Sequence, residues 1–247
     1  MNKIRFYNDN TGPVAEEEIK IFQKALDVFD ELTEVNEITV LIHTKNNTGY
    51  LERIFEGKNI NPLFKGVAVG GKYPVKIETT RTIDDSYKKS RVLMCFGLKS
   101  DEISKYEDFR SVKAILAHQW VSPDVLDWAK SRRAINIDTG IAIEGHNSPN
   151  IIVQKALIEL TNSINLVTGI THPMDNELCK TFLRALKKYN YDLNPIEIFS
   201  FLTVDMNWDS DHAKKVIVLV DKLNSGRSFV GGAKTGLKNY IKSWTIN

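Results

Sequence analysis

The chain has 247 residues, of which 42% are hydrophobic and 26% charged, a balance that excludes wholesale disorder and the fibrous classes and builds a core without covalent staples. Its formal net charge of +2 is too small to demand a polyanionic partner for the chain as a whole. Cys95 and Cys179 lie far apart in apolar contexts, with no CxxC pair and no Cys/His ligand spacing. They read as reduced, packed thiols, and no metal site is expected.

The first predicted element is a strand over residues 3–7, broken by the turn-forming run Asn8-Asp9-Asn10-Thr11-Gly12-Pro13. Ile19, Phe22, Leu26, Phe29 and Leu32 then recur at three- and four-residue spacing, which predicts one face of a helix. Glu16, Glu17 and Glu18 stand in its first turn, where carboxylates favour the positive end of the helix dipole. Residues 37–44 are β-branched and predict a buried strand, followed by a short helix over 49–56 stopped by Gly57. Residues 66–78 fit either a hairpin with a glycine turn or an ordered flap. Strands are predicted again over 91–97 and 112–118, with a short helical stretch over 101–109 between them. Ser122-Pro123-Asp124 opens a helix, with Ser122 as N-cap and Pro123 in the first position, and 134–138 closes as a last strand.

Apolar rather than alternating strands, separated by helices, point to a mostly parallel sheet covered on both faces. The expected architecture is a Rossmann-like α/β layer of about five strands plus one hairpin. From Asn147 the pattern is helical only. One helix is capped by Ser148-Pro149, a second spans 174–189, a third is capped by Asn194-Pro195, and a fourth spans 210–223. A final amphipathic stretch covers 237–244. The expected division is an α/β domain over 1–145 and a helical domain with a basic tail over 146–247.

In open parallel sheets, ligands bind beyond the carboxyl ends of the strands, where loops and helix N-termini converge. The residues just after the predicted strands are Asp9, Asn10 and Thr11, then His43, Thr44 and Lys45, then Gly97 and Lys99, then His118, Gln119 and Trp120, and finally Asp138 and Thr139. Imidazoles, carboxylates, ammonium groups and an indole along one sheet edge suit a nucleotide or another phosphorylated metabolite. Lys45 and Lys99 would pair with phosphate, Trp120 would stack on a base, and Thr11 and His43 would add polar contacts. Asp9, His118 and Asp138 would handle the proton of a hydrolysis.

Two families are resembled. Asp9-Asn10-Thr11-Gly12 resembles the nucleophile loop of haloacid-dehalogenase-like phosphatases, with Thr44 in the place of that family's hydroxyl. The resemblance implies phosphoryl chemistry at Asp9, although Thr11 stands where a second aspartate belongs. Over residues 91–138 the order strand, lysine, helix, strand, helix, strand is similar to the second half of Mrr-like restriction endonucleases of the PD-(D/E)xK class. It implies a metal-dependent nuclease ancestry with Lys99 in the lysine slot, but Gly97 replaces the acid that would bind metal, and Lys76 precedes Glu78 instead of a lysine following it. Gly70-Gly71-Lys72 and the run from Gly231 to Gly236 lack P-loop spacing and read as turns. His146 and His172 stand at turns, and Trp128 and Trp208 read as core.

From Lys222 to the end there are Lys222, Arg227, Lys234, Lys238 and Lys242, with no Asp or Glu. Interleaved with Phe229, Tyr240 and Trp244, the last four would suit a nucleic-acid surface. The alternative is that these cations neutralise the acidic helix near Glu16 to Glu34, within the chain or across a contact between copies in a homo-oligomer. The N-terminus lacks the apolar run of a leader, and no stretch reaches the roughly 18 residues of a membrane span, so the expectation is a cytoplasmic protein without a membrane partner. Three functions stand side by side: a hydrolase of a nucleotide or phosphometabolite, a nucleic-acid-binding protein with a degenerate restriction-endonuclease-like core, and a non-catalytic interaction protein. No cofactor is named by the sequence.

Overall fold

The computed structural model describes residues 3–246 apart from 13, 47, 56–59, 122 and 124. The chain forms two units, Met1–Glu144 and Gly145–Asn247. In the first, the strands are β1 (Ile4–Asn8), β2 (Glu37–Ile42), β3 (Val67–Val69), β4 (Tyr73–Thr79), β5 (Arg91–Phe96), β6 (Val112–His118) and β7 (Ile135–Asn136). They make one sheet in the order β3-β4-β2-β5-β6-β1-β7. Every neighbouring pair is parallel except β3 with β4.

Among the described residues the sheet has seven strands, since the hairpin expected beside about five main strands joins it. The segment at 66–78 is a hairpin, with Gly70 and Gly71 both at positive φ in its turn. Its second strand, β4, is not a satellite: it pairs in parallel with β2 from Val75 to Thr79. The last strand shrinks to two residues because only Ile135 and Asn136 lie against β1.

Continuous apolar runs are explained by burial on both faces. Phe6, Val40, Ile77, Met94 and Leu116 pack toward α1 (Ala15–Glu31) and α2 (Gly49–Ile54). Tyr7, Leu41, Leu93, Cys95 and Ala117 pack toward α3 (Ser100–Ile103) and α4 (Leu126–Arg132). The stripe that α1 buries is Glu18, Ile21, Ala25 and Val28, while Ile19 is exposed. The larger side chains Phe22, Leu26, Phe29 and Leu32 flank the stripe and are only partly buried. Glu18 is tolerated inside because Arg53 of α2 reaches both its oxygens, at 3.0 and 3.2 Å. Helix α4 begins three residues beyond Pro123. The expected caps Ser122 and Asp124 and the expected stop at Gly57 lie outside the described residues.

The second unit is helical: α5 (Ile151–Ser163), α6 (Pro173–Lys188), α7 (Pro195–Ser200), α8 (Ser210–Asn224) and α9 (Leu237–Thr245). Asn150, not Ser148, caps α5 by accepting the Ile152 amide, and Asn194 caps α7 as expected. Its core joins Leu157, Phe182, Leu202, Trp208, Val216 and Trp244. The indole N–H of Trp244 donates to Glu159 at 2.6 Å and that of Trp208 to Thr161 at 2.9 Å.

One glycine fixes how β5 and β6 end. Gly97 follows β5 at φ +65°, and a Cβ added there would lie 2.4 Å from the Trp120 ring. Gly97→Ala should cost about 2–4 kcal/mol, part from the left-handed backbone and part from overpacking. In a Trp120→Ala background the same substitution should cost only the backbone share, about 1–2 kcal/mol. A double-mutant cycle by urea denaturation measures the difference.

Candidate functional site

Strands β1 and β6 are neighbours, yet their chains leave on opposite faces: β1 runs to α1 and β6 to α4. In open parallel sheets such a divergence marks the edge where ligands are expected to bind. In register, Asn8 lies opposite His118 and Tyr7 opposite Asn136, so the loops that follow meet at one rim. The two loops are clasped together. The Gly12 amide donates to the Trp120 carbonyl at 3.0 Å, and the Gln119 side chain donates to the Asp9 carbonyl at 3.1 Å.

Asp9 and Asp138 both stand on this rim and are exposed. Asp9 accepts from Asn136 at 3.1 Å through one oxygen. Asp138 is held at both: Asn10 donates to one at 3.1 Å and Lys20 to the other at 3.1 Å. Glu17, from the first turn of α1, ties the group together. It accepts from Asn8 at 2.5 Å, Asn10 at 2.9 Å and Lys20 at 2.8 Å. Asn8 and Asn136 are the buried floor, and each also orders a loop, Asn8 by accepting the Asn10 amide and Asn136 by accepting those of Asp138 and Thr139. Asn8, Glu17, Lys20 and Asn136 were not among the sequence candidates. Asn8 and Asn136 carried a signal, being polar residues at the carboxyl ends of apolar strands. Glu17 and Lys20 did not, since they lie within a helix.

His118 is part of the same region but is enclosed. It is 0% exposed, its ring set edge-on to Phe96 at 5.9 Å. Neither ring nitrogen meets a partner in hydrogen-bonding geometry. Burial holds its pKa below the ordinary histidine value, against the opposing pull of the nearby Gly12 backbone and the Glu17 carboxylate. The imidazole is therefore biased toward its neutral form and is shut away from solvent. Trp120 is half-buried with its ring over Gly97, packed on the apolar layer beneath. Thr11 is exposed on the same loop as Asp9.

The other candidates lie further along the rim. His43 follows β2, with Nδ1 3.4 Å from Glu102. Lys45 places its ammonium 5.4 Å above the Phe64 ring and lines a polar cleft of about 350 Å³ with Lys76, Lys89, Glu78 and Thr82. Lys99 is exposed at the start of α3, its amide held by Glu102 at 3.0 Å. Since β5 and β6 separate β2 from β1, His43 and Thr44 stand three strand spacings from Asp9, roughly 14 Å at about 4.8 Å per step. The hydroxyl of Thr44 therefore does not meet Asp9, as the phosphatase resemblance implied. Glu78 is buried, paired with Lys76 at 2.5 Å and with Thr82 at 2.6 Å. Among the described residues no group of three or more His, Cys, Asp or Glu side chains is disposed to hold a metal ion, and no helix is long and apolar enough to cross a membrane.

The basic residues of the C-terminal part are placed on the second unit. Arg227, Lys234, Lys238 and Lys242 are all exposed, the last two one turn apart on α9. The glycine run is not a phosphate cradle. The Gly232 amide donates to Glu177 and the Ala233 amide to Thr181 at 2.8 Å, so these donors point into the protein.

Residues 149–245 match a family model described as a domain of unknown function (DUF1889). The match covers the helical unit and leaves the sheet unmatched. No curated protein and no solved structure matches the chain.

The polar rim should show in the pH dependence of stability. Lys20 foremost, with Asn10 and Asn8, lowers the Glu17 pKa to about 2 against the cost of its burial. A carboxyl depressed in the folded state stabilises the fold above its unfolded value and loses that contribution as pH falls toward the folded one. Unfolding free energy should therefore decline between about pH 4.5 and 2, and Glu17→Gln should flatten that decline. Denaturant titrations at stepped pH measure both.

Proposed function

We propose that the first unit is a Rossmann-like ligand-binding layer that takes a nucleotide or related phosphorylated metabolite at the carboxyl edge of its sheet and hydrolyses it. The observation that carries this reading is the divergence of the β1 and β6 connections on opposite faces, with Asp9, Asn10 and Asp138 gathered at that point.

The rim is divided by charge, and the division suggests how such a ligand would lie. Around β1 and β7 the rim presents the acidic side chains Asp9, Glu17 and Asp138 with Lys20 bonded between the last two. That end suits hydroxyl groups, which donate to carboxylates, and repels phosphate. Around β2 and β5 stand His43, Lys45 and Lys99, with Glu102 beside His43; in the cleft beyond Lys45, Lys76 and Lys89 are already paired with Glu78 and Asp84, so an anion there would rest on Lys45 and Lys99. That end suits an anion. A sugar phosphate or nucleotide would lie along the edge with its hydroxyls at Asp9 and its phosphate toward Lys45 and Lys99.

Of the three residues expected to move protons, Asp9 is best placed. One of its oxygens is fixed by Asn136, and the other is available to a water or a substrate hydroxyl. Both oxygens of Asp138 are engaged, which makes it a positioning group for Asn10 and Lys20. His118 would reach a ligand only if the clasp between Gly12 and Trp120 opened.

A thermal-shift screen against nucleoside mono-, di- and triphosphates and sugar phosphates tests binding, since a ligand at a hundredfold its dissociation constant adds about 2.7 kcal/mol. With a stabilising ligand in hand, Asp9→Asn should lower its hydrolysis, at a bond near the hydroxyl end, by about 10²–10⁴-fold while retaining the shift. Lys99→Ala should weaken the shift itself. A panel that never stabilises the protein, or turnover unchanged in Asp9→Asn, refutes the reading.

A further inference from the structure

We propose that α6 and the glycine-rich segment wrapped on it form a nucleic-acid-binding surface that holds phosphates without reading bases. The two units differ in charge. Residues 145–247 carry twelve Lys and Arg against nine Asp and Glu, whereas residues 1–144 carry twenty-one against twenty-two. None of the nine acids lies beyond Asp221.

Contacts bring the excess together. Lys180, Arg184 and Lys187 recur along one stripe of α6. Arg184 donates to the carbonyls of Phe229, Gly232 and Ala233 at 3.1, 2.8 and 3.0 Å and lies 5.0 Å from the Phe229 ring. Those partners are neutral, and the nearby acid is Glu177, which Arg184 shares with Lys180. Lys187 donates to Asn224 at 3.0 Å, three residues before the exposed Arg227. Lys234 follows directly on the segment that Arg184 holds, and it too is exposed. Glu177 is the acid drawn into this contact, and it is spent on Lys180 and the Gly232 amide, which hold its carboxyl below the usual range.

The segment is a built feature. A Cβ on Gly231 would lie 2.0 Å from a Glu177 oxygen, and one on Gly232 would lie 3.0 Å from the Thr181 backbone nitrogen. Only glycine lets the chain press this closely onto α6 and carry Arg227 and Lys234 past its flank.

Phosphodiester backbones fit this surface better than the other polyanions. Binding flat on a bilayer needs an amphipathic helix with its apolar face free, and the apolar residues of α9, Leu237, Ile241 and Trp244, are buried in the unit's core. An acidic protein partner would need an apolar or aromatic anchor, and on this segment Phe229 is buried beneath Arg184 while Val230 is the one large apolar side chain exposed. Cations at the tips of flexible side chains, with no aligned planar donors, match a repeating phosphate chain rather than a base sequence.

Fluorescence anisotropy with a labelled duplex of about 20 base pairs, and with its single strand, tests the surface over a salt series from about 50 mM. The full chain should bind at low salt, with log K falling linearly against log salt. The variant Lys187→Ala/Arg227→Ala/Lys234→Ala should bind more weakly and lose about 2–3 from the slope for the duplex. Arg227→Glu alone should weaken binding, and it serves if the triple variant does not keep the wild-type circular dichroism spectrum. Lys65→Ala/Lys130→Ala on the first unit should leave affinity unchanged. Absence of binding at low salt, unchanged affinity in both basic-surface variants, or tighter binding to phosphatidylserine vesicles than to the duplex would overturn the proposal. None of these outcomes depends on the ligand proposed for the sheet edge.

Discussion

The first unit depends on holding β1, the beginning of the chain, between β6 and β7, the last strands of the sheet. Each of these pairings closes a loop of more than 100 residues, so the entropy of ordering is spent before the contacts form. The sheet offsets this with a strand that is hydrogen-bonded on both sides and packed on both faces, Phe6 into one apolar layer and Tyr7 into the other. Where the strand ends, polar groups take over the closure. Asn8, Gln119 and Asn136 are buried and tie the following loops to one another. The same bonds that complete the topology therefore shape the rim on which Asp9 and Asp138 stand.

That origin explains the division of labour among the candidate residues. Groups used to close the loops have little left for a ligand. Asp138 has both oxygens bonded, and His118 is sealed beneath the clasp with its charge suppressed by burial. Asp9 is less engaged, its bonds running through its carbonyl and, at one carboxylate oxygen, a single asparagine. The cations stand apart for a topological reason. Lys45 follows β2 and Lys99 follows β5, and both strands lie on the far side of β6 from β1.

The helical unit solves a different problem. Its five helices bury apolar stripes against one another, and its two core tryptophans satisfy their indole N–H groups internally. The segment between α8 and α9 carries no regular structure, yet its amides and carbonyls are paired to Glu177, Thr181 and Arg184 of α6. Satisfying backbone groups with a charged stripe brings cations to the surface as a by-product. Beyond Asp221 no Asp or Glu follows, so the cations of this segment have no acid beside them in sequence.

Much of the secondary structure was legible because it rests on local patterns. Burial on both faces makes β2, β5 and β6 read as apolar runs, and Asn194-Pro195 announces α7 through capping chemistry that needs only neighbours. The pattern misled where a distant partner decides what is buried. The inward stripe of α1 contains Glu18, which no hydrophobic periodicity selects, because Arg53 neutralises it from another helix. Strand order, the pairing of β4 with β2, the sealing of His118 and the grouping of Glu17 and Lys20 with Asp138 are likewise set by contacts between distant segments. The amino-acid sequence by itself determined an apolar strand-and-helix layer, a helical remainder and a basic, acid-free end, since composition and short-range periodicity carry these. Only the tertiary structure decided which loops share a rim and which charges stay free, because those follow from strand order, and strand order is chosen by pairing energies between residues a hundred positions apart.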